Sequence, residues 1–148
     1  MKNQAGVSLS LLLASVCAQG AVYPFSDNFE SGLGAWQAGG QWGVTALTAY
    51  SPSHAACDSP AAFYANNQDA SLTLASGVSL AAATRPALAF QRRHALETGW
   101  DFVRVELSTD AGQSWAQLPG AAYTGSEPAW PREQVDLAAF AGQGAVRV

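Results

Sequence analysis

Residues Phe102–Leu118 read FVRVELSTDAGQSWAQL, and this stretch decides the fold class. Val103, Val105 and Leu107 alternate with Arg104, Glu106 and Ser108, the period of two that turns one set to a core and the other to water. The run enters Ser108-x-Asp110-x-Gly112-x-x-Trp115, where each named residue has a turn-building task. Asp110 can accept hydrogen bonds from backbone N–H groups just after it, and Gly112 can take positive φ without a Cβ clash. Ser108 can cap the loop with its hydroxyl. Trp115 re-enters the sheet and covers the turn with apolar surface, so it is expected, like Trp42, to face the core. A strand, a side-chain-built turn and a returning strand predict an antiparallel hairpin.

The same alternation, divided by Gly, Pro, Asn, Asp and Ser, recurs along the chain, and no good amphipathic helix interrupts it. Strands are expected over 23–29, 41–48, 62–64, 70–74, 87–94, 134–137 and 145–148. Leu72 and Leu74 share one face, and Leu88 and Phe90 point inward. The Ala-rich 81–83 favours helix by propensity. Pro86 and the β-rich flanks argue instead for a strand passing into a loop over 78–84. One helical turn is expected over 138–142. The pattern predicts one all-β domain, an antiparallel β-sandwich. Its last alternation, Val146-Arg147-Val148, is unterminated, which predicts a missing final strand and a chain that is a piece of a longer protein.

Residues 1–20 have the layout of a secretory signal peptide: Lys2, then an apolar stretch centred on Leu9–Val16, then small residues. Cleavage after Ala18 or Gly20 fits the small-residue rule. The stretch is far below the roughly 20 apolar residues of a membrane span. Residues 21–148 are then a single secreted domain with six Arg, no Lys and eleven acidic residues, a formal charge of −5. That balance argues against nucleic acid or anionic membrane as partners. Cys57 would remain alone, either as a partly buried thiol or as a bridge between chains.

Several segments together resemble one family pattern: FESGLGAW (Phe29–Trp36), QWGVT (41–45), YANNQDASLTL (Tyr64–Leu74), the block Pro86–Leu118, and the closing VDLAAFAGQGAVRV. Their order and spacing are similar to the MAM-like jelly-roll domains of bacterial secreted proteins. Such modules follow the catalytic domain in immune-inhibitor-A-type metallopeptidases and occur in other exoproteins. Ser108, Asp110, Gly112 and Trp115 resemble the Asp-box of sialidases, a fold element remote from the active site. The FE-x-G-x-x-x-W opening is also similar to that of jelly-roll carbohydrate-binding modules. Members of these families usually end in an acidic strand that has no counterpart after Ala145–Val148.

Asp27 and Glu30 are hard oxygen ligands beside a turn and could hold a structural Ca²⁺. The resemblance points to Glu30 as the better ligand; the competing reading is a solvated turn carboxylate. Glu97, Asp101 and Glu106 are the carboxylates to test for glycosidase chemistry, which needs a pair about 5–9.5 Å apart. Arg92, Arg93 and His94 form a basic cluster expected to pair with Glu97 or Asp101. His54 and His94 match no zinc spacing, and a GxSxG elbow and a phosphate loop are absent. Trp36, Trp100 and Trp130 lie in or beside expected loops and could stack on a sugar ring or a partner, or pack beneath those loops. The sequence therefore reads as a secreted, non-catalytic binding or adhesion module for an extracellular protein or glycan. A carbohydrate-binding module is the main alternative, and a glycoside hydrolase the third.

Overall fold

The computed structural model describes residues 10–17, 20–50 and 52–148. Its strands are β1 (Ser10–Cys17), β2 (Gly20–Asp27), β3 (Trp36–Ala38), β4 (Gly43–Thr45), β5 (Ala55–Cys57) and β6 (Leu72–Leu74). They continue as β7 (Pro86–Gln91), β8 (His94–Ala95), β9 (Val103–Leu107), β10 (Ala116–Tyr123), β11 (Ser126–Glu127) and β12 (Arg132–Asp136). A 3₁₀ turn covers Ala138–Phe140, inside the single helical turn expected there. The fold is all-β, and every strand pairing is antiparallel.

One sheet runs in the order β12-β7-β1-β2. Opposite it, short pairs join laterally through the last residues of the chain. Trp36 pairs with Leu74, Leu74 N–H donates to Val148 O (2.8 Å), and Arg147 exchanges two 2.9 Å bonds with Ser108. Leu107 in turn pairs with Ala116. The terminal residues thus tie β6 to the end of β9. Leu88, Phe90 and Val135 of the first sheet share one core with Trp36, Leu74, Leu107, Leu118 and Val146 of the second group. Alternation explains this: inward residues two apart on each strand meet across the space between layers.

Several expectations are corrected. Residues 62–64 are loop, and the strand of that region is Ala55–Cys57, whose small side chains are all buried against β4. Ser108, expected to face water, is 1 % exposed because Arg147 pairs with its backbone and its hydroxyl turns into the hairpin. Trp115, expected in the core, is 37 % exposed. Ala116, not Trp115, sits opposite inward-facing Leu107, so Trp115 projects from the other face. Cys57 is buried, and loss of solvation pushes its thiol pKa up, which makes it an inert packing residue.

Part of the stretch read as a leader, Ser10–Cys17, is β1, between β2 and β7, with Leu11–Ala14 in register with Phe90–Ala87. Lys2, Ala18 and the rest of 1–9 and 18–19 lie outside the described residues. Among the described residues, no helix is long and apolar enough to cross a membrane.

Candidate functional site

The β9–β10 hairpin turns as its residues dictate. Asp110 Oδ1 accepts from Ser114 N (2.9 Å) and Ser108 Oγ (2.8 Å), while Oδ2 accepts from Ser114 Oγ at 2.5 Å. Gly112, at φ +92°, donates its N–H to Ser108 Oγ at 2.8 Å. Bonds from Ser114 and then Ser108 favour the ionised form and hold the Asp110 carboxyl well below the usual range. The role of Ser108, Asp110 and Gly112 is therefore to set the turn.

The turn Glu97–Asp101 precedes β9 and carries Trp100. Glu97 O accepts from Trp100 N (3.1 Å) and Asp101 N (3.0 Å), and Gly99 N donates to Thr124 Oγ1 at 2.9 Å. Gly99 sits at φ +78°, a conformation that a side chain would strain. The turn is thereby fixed, yet Trp100 is 80 % exposed. Next to it, Asp101 Oδ2 accepts from Tyr64 Oη at 2.7 Å. Burial, reinforced by this bond, raises the tyrosine pKa to about 12, so the phenol stays a donor.

Trp100 stands on a cleft of about 730 Å³, within the range of small-molecule sites. Phe102 and Trp115, also exposed, share its lining, with Tyr64, Gln68 and Asp101. Leu88 and Phe90 reach its floor from the opposite sheet. Trp42, expected to face the core, is half-buried and packs against it while also lining the cleft, and its buried Nε1 has no hydrogen-bond partner.

Of the three tryptophans singled out from sequence, the cleft engages them unequally. Trp100 projects at its mouth. Trp36 touches the lining but is 7 % exposed, a core residue whose Nε1 donates to Asp27 Oδ2 at 2.9 Å. Trp130 is outside the lining and packs near Tyr50, ring centroids 6.5 Å apart.

Asp27 and Glu30, the calcium candidates, serve different partners. Asp27 Oδ1 accepts from Phe29 N at 2.8 Å, which supports the left-handed conformation of Phe29 at φ +62°. Glu30 Oε1 accepts from His54 N (2.7 Å) and Ser53 N (3.1 Å), and Oε2 accepts from Ser53 Oγ at 2.7 Å. His54 Nδ1 lies 2.9 Å from Glu30 Oε2 and 2.9 Å from Ser53 Oγ. Among the described residues, no group of three or more His, Cys, Asp or Glu converges as metal ligands would. The Ser53–His54–Glu30 trio is not a nucleophile relay, because serine and carboxylate share one ring nitrogen instead of bracketing the imidazole. No local motif announces it, since Glu30 and His54 are distant in the chain.

Hydrogen bonds from His54 and then Ser53 lower the Glu30 pKa from 4.5 to about 2. A depressed folded-state pKa contributes stability above the unfolded value, and that contribution is lost as pH falls through the folded one. Melting temperature is therefore expected to drop between pH 4.5 and about 2, and Glu30→Gln to flatten part of that drop. Equal slopes for the two proteins in a calorimetric pH series would remove Glu30 from this role.

The basic cluster pairs differently from expectation. Arg92 bonds Glu133, Nη2 to Oε1 at 2.7 Å, and its guanidinium lies 4.0 Å from the Tyr123 ring centroid. The reason is register: β7 ends at Gln91, and Arg92 N donates to Pro131 O, which carries it along β12 towards Glu133 and away from Glu97 and Asp101. His94 is buried beside it, and desolvation lowers its pKa. Arg93 donates to Pro128 O and Thr48 Oγ1, a loop-binding role.

In comparisons with protein families, curated proteins and solved structures, no match to this chain is found.

Proposed function

We propose that this chain is a secreted, non-catalytic binding module whose ligand, an extracellular protein or a glycan, lies in the cleft beside Trp100. One observation carries the reading. A tryptophan 80 % exposed is held at the mouth of a cleft of about 730 Å³ by a turn with three anchored backbone N–H groups, those of Gly99, Trp100 and Asp101. Burying such a side chain is worth roughly 1.5–3 kcal/mol or more. The fold does not collect that stabilisation, and a bound ligand can.

The lateral succession of β3, β6, the terminal residues, β9 and β10 across a shared core supports a jelly-roll sandwich of MAM-like type. The leader pattern around Lys2 supports export. A role as an accessory domain of an extracellular peptidase or other exoprotein follows from the resemblance. Glu30 and Asp110 are held ionised by their turn partners and lie outside the cleft lining, so their role is structural.

The test is a solid-phase binding and hydrolysis panel of polysaccharides and extracellular matrix proteins with the full chain. Binding without turnover is expected, with Trp100→Ala weakening it and Trp130→Ala leaving it intact. Hydrolysis that disappears in Glu97→Ala or Asp101→Ala would overturn the reading in favour of a hydrolase.

A further inference from the structure

We propose that the cleft takes a neutral saccharide chain, with one sugar ring packed on Trp100 and its hydroxyls bonded by the polar side chains beside it. The inference rests on the cleft being the ligand site and adds the class of ligand.

The first support is the composition of the rim. Single exposed apolar residues are ordinary. Here Trp100, Phe102 and Trp115, 80 %, 41 % and 37 % exposed, border the same cleft. A protein-binding centre built on such aromatics is depleted of charge. In this cleft Asp58, Asp69, Asp101 and Glu106 stand among the rings. A ligand that matches both must be apolar on one face and rich in hydroxyl donors at its edge. A pyranose ring has that amphipathic form, with C–H groups across its face and hydroxyls around it.

The second support is the sign of the charge. Against those four carboxylates the lining holds one guanidinium, Arg104, which lies 4.9 Å from the Phe102 ring centroid. Anionic ligands, uronate polymers and nucleic acids alike, meet repulsion in such a site. Carboxylates are acceptors only, so they suit the hydroxyl donors of an uncharged sugar.

The third support is preorganisation. Asp101 Oδ2 is held by Tyr64 Oη, which fixes the carboxylate beside the Trp100 platform. The half-buried carboxylate is an acceptor that a ligand hydroxyl could share with Tyr64. Gln68, on the neighbouring loop, is tethered by a 3.1 Å bond from Ala65 N to its Oε1, which leaves the amide N–H₂ for a ring or hydroxyl oxygen. Ordering these groups beforehand lowers the entropic cost of binding.

Affinity electrophoresis of the full chain tests the inference, with gels containing neutral xyloglucan, mixed-linkage β-glucan or galactomannan, acidic alginate or polygalacturonate, or gelatin. Retardation by at least one neutral polymer is expected, lost about tenfold in Trp100→Ala, weakened in Asp101→Ala and kept in Trp130→Ala and Trp100→Phe. Unchanged melting temperature in Trp100→Ala shows that the loss is local. Retardation by acidic polymers alone, or by no polysaccharide, overturns the inference. Trp100-dependent retardation by gelatin alone overturns it too, yet leaves the cleft as the ligand site. Retardation that Trp100→Ala does not alter removes the cleft itself.

Discussion

Trp36→Ala is expected to destabilise the domain by about 3–5 kcal/mol and to lower its melting temperature by roughly 10–15 °C. The indole sits between Phe25 and Phe29, with ring centroids 5.7 Å away in each case, and packs into the common core. It opens β3, whose partner β6 carries the buried Leu74. Truncation therefore leaves a cavity where the entry strand, the left-handed Phe29 turn and the second sheet meet. Trp36→Phe keeps the ring and loses only the donor to Asp27 Oδ2, so it should cost nearer 1 kcal/mol. Thermal unfolding of both variants checks the claim. A mild Trp36→Ala phenotype would place Trp36 among the surface aromatics.

Removal of residues 1–20 is expected to have a comparably large effect, because it takes away β1 and with it two ladders. β2 loses its pairing with Leu11–Leu13 and Ser15–Cys17, and β7 loses its whole Ser10–Ser15 partner while keeping β12. Two strands with open N–H and C=O rows then face each other across an empty position, a template for pairing with other chains. The chain beginning at Ala21 should melt at least 10 °C lower, roughly the effect of a few kcal/mol, or self-associate in sedimentation. A synthetic peptide of residues 10–17 added in trans should reverse either change. A monomer with unaltered melting temperature would show that β1 does not support the sheet. The proposed export, with cleavage after Ala18 or Gly20, would remove β1 and require another strand at this position.

Much of the fold was legible where alternation ran long enough. β7, β9 and β12 stand out because Leu88, Phe90, Leu107 and Val135 are buried at period-two spacing. β3 and β5 were not legible, since Trp36–Ala38 and Ala55–Cys57 stand outside any longer alternating run and are fixed by their partners, whereas the equally short β4 and β6 lie within longer expected runs. Ser108 and Trp115 were misread for one reason. Local alternation assigns faces within a strand, whereas here Arg147, distant in sequence, covers Ser108, and register turns Trp115 outward. Of the site, Trp100 was legible as a loop aromatic. Its setting was not: Tyr64 on Asp101, Ser53 and His54 on Glu30, and Arg92 on Glu133 are long-range pairs without a motif.

Four of the five tryptophans divide cleanly between fold and site, and their indole N–H resonances can be followed separately by ¹H–¹⁵N NMR. Titration with a neutral oligosaccharide, cut from whichever polymer retards the chain, is the most direct test of the cleft. The Trp100 and Trp115 signals should move in step with binding, while Trp36, tied to Asp27, and Trp130, outside the lining, should stay in place. Movement of Trp130 with a silent Trp100 would contradict the assignment of the binding site.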